Sequence, residues 1–149
     1  MKRIGVLTGG GDAAGMNAAL RAVTRTAWTR GVEVLGSNRG WEGLAEADAR
    51  VMGPGSVSGI LHLGGTMLRT FRYPEFAEDK GTAKVGKALK KLKLDGMVVI
   101  GGDGSFRGAD KMQRVFGLPV VGVPATIDND IAGTDMAIGY DTALNIAVD

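Results

Sequence analysis

Short apolar runs alternate with amphipathic segments along the whole chain. The runs are rich in valine, isoleucine and leucine, which predicts buried strands at Ile4–Leu7, Val32–Gly36, Met97–Ile100 and Pro119–Val123. Strands that alternate with helices form a parallel sheet, whose two faces are then both covered. The pattern therefore predicts an α/β fold, a Rossmann-like three-layer parallel sheet with helices on both faces.

The segments between the strands are mostly helical in their spacing of apolar residues. The run Lys80–Lys93 carries six lysines, which we interpret as the solvated face of an amphipathic helix. Arg39–Gly43 is predicted as a polar loop instead. The segments predicted to be helical are 15–30, 56–63, 80–93, a stretch that ends at Gly117, and 141–149.

Composition limits the classes of function. The 149 residues suffice for one domain, and the 25 glycines fall at the ends of apolar runs, as in an α/β protein with backbone-lined loops. The net charge of +2 suits an anionic substrate and does not indicate nucleic acid. The absence of cysteine excludes disulfides and thiolate metal sites. The apolar run after Met1 is too short for a signal peptide or a membrane span, so we expect a cytoplasmic protein.

Two glycine-rich loops follow predicted strands, and both contain an aspartate. They are Gly9–Asp12 and Gly101–Ser105. Glycines let backbone amides face a phosphate, whereas an aspartate repels it unless a cation lies between them. Mg²⁺ bridges carboxylate and phosphate oxygens in this way. The loops predict a Mg-nucleotide site, although a turn that merely needs small residues explains them locally as well.

A third polar cluster follows the last predicted strand. Thr126, Asp128 and Asp130 alternate, so in extended backbone all three point to the same side. One carboxylate can hold a metal while another accepts a proton from a hydroxyl nucleophile, as phosphoryl transfer to an alcohol requires. A solvated acidic turn is the alternative. Trp41 is interpreted as a core residue that could also stack on a ligand base, and His62, the only histidine, as a packing residue.

These motifs together resemble the N-terminal half of the bacterial-type 6-phosphofructokinases. GGDG alone also occurs in NAD kinases and diacylglycerol kinases, whereas its combination with TIDND and an N-terminal GGD is specific. The resemblance covers the whole chain and is carried by 2–8 (KRIGVLT), 10–12 (GGD), 15–19 (GMNAA), 64–66 (GGT), 74–76 (PEF), 98–105 (VVIGGDGS), 126–130 (TIDND), 133–135 (GTD) and 139–143 (GYDTA).

The resemblance implies an ATP-dependent 6-phosphofructokinase, with ATP and fructose 6-phosphate as substrates. Asp128 would be the base at the sugar 1-hydroxyl, and Thr126 would contact the reacting end of the sugar phosphate. Asp130 would assist Asp103 at the metal, through water or by orienting its neighbours. The Gly11 amide and Arg72 would bind the transferring phosphoryl group. Asp103 would hold Mg²⁺. The residues implied to line the nucleotide are Gly11, Trp41, Arg72, Tyr73, Gly102, Asp103, Gly104, Ser105 and Gly108.

The resemblance also implies regulation and assembly. Arg21 and Arg25 match positions that bind a nucleotide or phosphoenolpyruvate effector across a subunit interface, and the family suggests a homotetramer. Pro54, however, stands where allosteric relatives often have an effector-binding arginine, which puts the usual regulation in doubt. Other departures are Gly9 for serine, Ala14 for proline and Trp41 for tyrosine.

The choice of phosphoryl donor can be argued from two small residues. Pyrophosphate-using relatives tend to carry Asp at 104 and Lys at 125, whereas this chain has Gly104 and Ala125. A carboxylate at 104 would repel the α-phosphate of a nucleotide, so Gly104 favours ATP. A pyrophosphate-dependent enzyme and a non-catalytic nucleotide-binding module remain the alternatives.

In the family, the helix predicted at 141–149 leads into a second half that grips the sugar 6-phosphate. Residues 1–149 would therefore be the nucleotide-binding part of a truncated phosphofructokinase-type large domain. We expect these 149 residues by themselves to catalyse little or nothing, because the sugar site is incomplete.

Overall fold

A computed structural model describes all of residues 1–149. Five strands form one sheet, and their bounds are β1 Arg3–Thr8, β2 Glu33–Ser37, β3 Ala49–Met52, β4 Gly96–Gly101 and β5 Val120–Pro124. The α-helices are α1 Met16–Thr29, α2 Gly40–Ala45, α3 Asp79–Leu92, α4 Asp103–Phe116 and α5 Tyr140–Val148. Two short 3₁₀ helices lie at Pro54–Val57 and Pro74–Ala77.

The sheet is parallel except at one edge. Its strand order is β3-β2-β1-β4-β5, and β1, β2, β4 and β5 run in the same direction. The expectation of a wholly parallel sheet is wrong for β3, which pairs antiparallel with β2. The Asn38 amide donates to the Asp48 carbonyl at 3.0 Å, and the Asn38 side chain donates to the Asp48 carboxylate at 2.8 Å. The segment between these two residues, which contains α2, therefore begins and ends at the same place. The strands on either side of it, β2 and β3, consequently pair antiparallel.

Both faces of the sheet are covered, which confirms the three-layer prediction. Alternate residues of β1 enter different cores: Val6 packs under α1, and Leu7 packs on the side of α2, α3 and α4. In β4, Ile100 likewise belongs to the core under α1, and Val99 belongs to the core on the side of α2, α3 and α4. This two-residue alternation places one apolar cluster on each side of the sheet, as a doubly covered parallel sheet requires.

Two local predictions in the first half of the chain are wrong. The segment 56–63 is not an α-helix, because only Pro54–Val57 forms a 3₁₀ helix and the chain turns away at Gly59, where φ is +73°. Arg39–Gly43 is not a loop throughout, because α2 begins at Gly40. Gly40 has φ +60°, and a Cβ there would lie 2.8 Å from the Thr8 carbonyl oxygen. Both the backbone conformation and the close packing against β1 therefore favour glycine at this position.

The later helices lie where the spacing predicted them. α3 and α4 are both 14 residues long, and α4 ends at Gly117 in the left-handed conformation. α5 forms as predicted, but none of its residues is buried, and Leu144, Ile146 and Val148 are exposed. No helix combines the length and apolar character needed to cross a bilayer.

The Asp95 side chain holds the start of β1, the central strand of the sheet. Its carboxylate accepts hydrogen bonds from the Lys2 and Arg3 amides at 2.6 and 2.9 Å. These two bonds lower the pKa of Asp95 below its ordinary value. A group with a lowered pKa stabilises the folded state above its unfolded pKa of about 3.9, and the contribution is lost as the pH falls through the folded-state pKa.

We therefore expect Asp95→Asn to lower the melting temperature by a few degrees at neutral pH, because the charged acceptor is lost. The difference from the unmodified chain should shrink as the pH falls below about 3.9. Asp110→Asn is the matched control, because it removes an exposed ion pair with Arg114 on α4. Thermal unfolding of all three chains from pH 7 downwards measures the effect, and a pH-independent difference would contradict the assignment.

Candidate functional site

Three loops leave the sheet side by side at the carboxyl ends of β1, β4 and β5. The parallel hydrogen bonding continues beyond the strands: the Gly9 amide donates to the Ile100 carbonyl, and the Ala125 amide donates to the Gly101 carbonyl, both at 2.9 Å. Ligands of open α/β sheets bind at this edge. The two glycine loops and the Thr126–Asp130 cluster are therefore neighbours, although they are far apart in sequence.

The loops line one cleft of about 700 Å³. All the residues named from the sequence as catalytic or nucleotide-lining are among those that line it; they are Gly11, Trp41, Arg72, Tyr73, Gly102, Asp103, Gly104, Ser105, Gly108, Thr126, Asp128 and Asp130. Five further residues line the wall: Gly10, from the predicted phosphate loop, Ala125, which bears on the choice of donor, and Phe71, Pro74 and Phe76, which the sequence analysis did not assign to the site. The aromatic residues at 71, 73 and 76 were the available signal.

The first loop is closely packed where it meets the second. Gly9 is buried, and a Cβ at this position would collide with the Ser105 hydroxyl. Gly11 by contrast is exposed, and a Cβ there would meet no atom within 4 Å. A small residue is therefore needed at position 9 for packing, whereas at Gly11 the backbone is open to the cleft.

The second loop turns directly into α4 at Asp103. The Asp103 carboxylate is half exposed and accepts a hydrogen bond from the Arg107 guanidinium at 2.9 Å. No group of three or more acidic or histidine side chains could form a metal site made of protein alone. Mg²⁺ is commonly held by one or two carboxylates together with phosphates and water. The single carboxylate of Asp103 at the cleft fits a metal of that kind.

The third loop is bent, contrary to the extended conformation expected for it. Asn129 has φ +49°, and the chain bends at Ile127 and Asp128. The Thr126 hydroxyl accepts a hydrogen bond from the Asp128 amide at 3.1 Å, which closes a local turn. Thr126, Asp128 and Asp130 nevertheless all line the cleft. Their shared direction comes from this turn and not from strand alternation.

Aromatic rings form another part of the cleft wall. Trp41 is buried, as expected for a core residue, and it also lines the cleft. Its ring stacks on Phe76 with centroids 5.2 Å apart and an interplanar angle of 27°. Gly108 makes room for the indole, because a Cβ there would lie 2.9 Å from Trp41 Cζ2. The wall thus joins the cleft to the core beneath α4.

Tyr73 and Arg72 lie at the edge of this wall. Partial burial, followed by the negative charges of Glu75, Glu46 and Glu42, raises the pKa of Tyr73, so the phenol stays protonated at neutral pH. Arg72 is exposed, and no acidic side chain of the chain pairs with it. Its guanidinium is therefore available to an anion in the cleft.

Some of the residues singled out from the sequence lie elsewhere. Arg21 and Arg25 are on α1 and do not line the cleft, and Arg21 donates to the Val57 carbonyl at 2.8 Å. Pro54 begins the 3₁₀ helix beside α1. His62 is exposed, so its interpretation as a packing residue is wrong. The turn at Gly59 carries this segment, with Leu61 and Leu63, away from the core.

Comparison with known families agrees with the combination of loops. The family described as "Phosphofructokinase" matches residues 3–149. The chain belongs to the phosphofructokinase family. It is 56% identical over its whole length to an "ATP-dependent 6-phosphofructokinase" of Listeria welshimeri, of which it covers 46%. It is 52% identical to one from Halothermothrix orenii, of which it covers 45%. The chain thus spans about half the length of the curated relatives it matches.

Solved structures of the family share the fold. A Pichia pastoris phosphofructokinase in the T-state superposes with a TM-score of 0.92 at 36% identity, covering 96% of this chain and 17% of that one. A pyrophosphate-dependent phosphofructokinase from Marinobacter aquaeolei gives a TM-score of 0.84 at 22% identity, covering 99% of this chain and 40% of that one. At that identity, the second likeness shows the fold alone.

The contact between Gly108 and Trp41 gives a test of the wall. We expect Gly108→Ala to lower the free energy of unfolding by ~1–3 kcal/mol, because the added methyl overpacks the indole. Gly104→Ala is the control in the same helix, since its Cβ meets nothing within 4 Å. It should be neutral or stabilising by up to ~1 kcal/mol.

Chemical denaturation, followed by tryptophan fluorescence in a Trp28→Phe background, measures both variants. The background removes the exposed Trp28, so the signal reports Trp41 alone. Equal stability of the two glycine variants would contradict the close packing of the indole.

Proposed function

We propose that the protein carrying this chain is an ATP-dependent 6-phosphofructokinase that transfers the γ-phosphoryl group of ATP to the 1-hydroxyl of fructose 6-phosphate, a step of glycolysis. The single observation that carries the proposal is the convergence of three loops on one cleft, with glycine-rich backbone, an aromatic wall and three separate carboxylates. The names of the relatives at 52–56% identity support the same reaction.

In this proposal Asp128 accepts the proton of the attacking hydroxyl. Its carboxylate lines the cleft and forms no ion pair within the chain, so it is free to accept a proton. A carboxylate is a weak base, which suffices where the transition state is loose and little proton transfer is needed early. Thr126 contacts the reacting end of the sugar phosphate, and Asp130 would assist Asp103 at the metal, through water or by orienting its neighbours. The Gly11 amide and the Arg72 guanidinium stabilise the charge on the transferring group.

The nucleotide lies between the α4 loop and the aromatic wall. Gly102 and Gly104 keep the backbone open to it, Gly108 lines the cleft beside the Trp41 indole, and Trp41 and Tyr73 offer ring faces. Asp103 would hold Mg²⁺, which neutralises phosphate charge in reactions of this kind. Because Arg107 donates to the same carboxylate, the metal would share or replace that contact.

Pyrophosphate is the second candidate donor. A carboxylate at position 104 would occupy the room of a nucleotide α-phosphate, and the space around Gly104 is open in this chain. Ala125 is buried and uncharged. Both residues favour ATP. A non-catalytic nucleotide-binding module predicts binding without turnover, so an assay of the complete protein with ATP, and separately with pyrophosphate, tests all three functions.

Binding of the sugar phosphate requires cationic groups that residues 1–149 do not provide in the cleft. The positive charge available in the cleft is limited to Arg72, whereas a sugar 6-phosphate calls for further cationic groups. We propose that these groups come from outside residues 1–149 and that the chain alone turns over poorly. A homotetramer and an effector near Arg21 and Arg25 stay predictions from the resemblance, and a cytoplasmic location stays a prediction from the N-terminal sequence.

The base assignment can be tested by Asp128→Asn in the protein that carries this chain. We expect kcat to fall by about 10²–10⁴-fold with little change in KM for ATP, because the proton acceptor is lost and the nucleotide wall is not. Asp135→Asn is the matched control, since Asp135 lies in the same loop but does not line the cleft. Retention of most of the turnover by Asp128→Asn would refute the assignment.

The donor assignment can be tested by Gly104→Asp. We expect kcat/KM for ATP to fall by about 100-fold, because the new carboxylate repels the nucleotide phosphates. The open space around Gly104 accommodates the side chain without a clash. Gly104→Asn has nearly the same shape without the charge and should lose much less. Equal losses in the two variants would mean that bulk and not charge controls the donor.

A further inference from the structure

Asn129 separates the two carboxylates of the third loop, and its backbone conformation is unusual. Its φ of +49° is in the left-handed region, which asparagine tolerates better than most residues. Because this conformation reverses the local direction of the chain, it decides how Asp128 and Asp130 are placed relative to each other. The sequence reasoning assigned no role to this residue.

The Asn129 side chain ties the loop to its own far end. Its Oδ1 accepts a hydrogen bond from the Ala137 amide at 2.9 Å, and its Nδ2 donates to the Asp135 carbonyl at 3.4 Å. We call this pair of contacts the Asn129 bridge. Ala137 is buried, so the bridge attaches the exposed part of the loop to a fixed point.

A second set of bonds closes the base of the same loop. The Thr126 amide donates to the Ile138 carbonyl at 3.0 Å, and the Ile138 amide donates to the Pro124 carbonyl at 2.9 Å. The segment 126–138 is therefore held at its base by backbone bonds, and between its two arms by the Asn129 bridge. Asp128 and Asp130 lie on either side of the bridging residue.

The carboxylates themselves have no other support. Neither Asp128 nor Asp130 forms an ion pair within the chain, and both are exposed. Asp128 forms a hydrogen bond through its backbone and not through its carboxylate: its amide donates to the Thr126 hydroxyl. Their positions in the cleft are thus set by the backbone between them.

We propose that Asn129 is a positioning residue, whose bridge to Asp135 and Ala137 holds the two cleft carboxylates in the arrangement that phosphoryl transfer requires. This inference rests on the proposed function, in which Asp128 is the base at the sugar hydroxyl and Asp130 assists at the metal. Displacing a reacting group by about 1 Å costs on the order of 10²-fold in rate, so a loosened loop should act on kcat.

The test compares Asn129→Gly with Asn129→Asp in the protein that carries this chain. Glycine accepts a positive φ but removes both contacts of the bridge, whereas aspartate keeps the acceptor for the Ala137 amide. Asn145→Ala is the control, because it removes one side-chain hydrogen bond, to the Asp141 carbonyl, on α5 outside the cleft. Steady-state kinetics with ATP and fructose 6-phosphate are combined with amide hydrogen exchange at Ala137.

We expect Asn129→Gly to lower kcat about 100-fold and to leave KM for ATP within about twofold, since the nucleotide wall is separate from the loop. The Ala137 amide should exchange faster in Asn129→Gly, keep its protection in Asn129→Asp, and remain protected in Asn145→Ala. Unchanged kcat in Asn129→Gly would overturn the inference, because a left-handed backbone would then suffice. A parallel loss of kcat, ATP binding and melting temperature would also overturn it, because the role would then be general folding.

If the unmodified protein transfers no phosphoryl group, the proposed function is refuted independently of the Asn129 bridge. The bridge is then judged on amide exchange alone. Slow exchange at Ala137 that is lost in Asn129→Gly supports the bridge, and fast exchange in the unmodified protein refutes it.

Discussion

The parallel hydrogen bonding of β1, β4 and β5 is the constraint on which the candidate site depends. Thr8 pairs with Ile100, and Gly101 pairs with Pro124, so the three strands end at nearly the same level. The backbone hydrogen bonding extends one residue beyond β1, at Gly9, and one residue beyond β5, at Ala125. These two bonds to β4 set the spacing between the loops. Residues more than a hundred positions apart in sequence, such as Gly11 and Asp128, share one cleft because the sheet fixes where each loop begins.

Close approach of these loops demands small residues at a few contacts. The space that a side chain at Gly9 would need is occupied by the Ser105 hydroxyl, and that at Gly108 by the Trp41 indole. Ser105 and Trp41 are both buried, and Trp41 belongs to the core between the sheet and α3 and α4. Stability and ligand binding are therefore coupled on this side of the cleft, because the aromatic wall is also part of the core.

The carboxylate side of the cleft is organised differently. Asp128 and Asp130 are exposed, and what holds them is a bent loop with backbone bonds at its base and the Asn129 side chain across it. Asp103, from the neighbouring loop, pairs with Arg107 on its own helix. Three carboxylates facing one cleft repel a phosphate ligand, which is why the proposed chemistry calls for a cation and for the free Arg72.

The local pattern alone determined the alternating strands and helices, the three layers and the loops that carry the site residues. Buried parallel strands need continuous apolar runs, and loops at their ends need glycine, so both leave a clear signal in the sequence. The resemblance of the loop motifs then placed the residues from Gly11 to Asp130 that line the cleft. Regular periodicity and loop chemistry are local properties, and a sequence displays them directly.

Tertiary contacts decided the remainder. β3 returns antiparallel beside β2, with Asn38 and Asp48 hydrogen-bonded at the two ends of the connection, and Gly40 at the start of α2 packs so close to the end of β1 that no Cβ would fit. Thr126, Asp128 and Asp130 line the cleft from a loop that bends at the left-handed Asn129 and is tied to Ala137, which extended-strand spacing could not predict. These features come from hydrogen bonds and close contacts between separated residues, and only the folded chain brings those residues together.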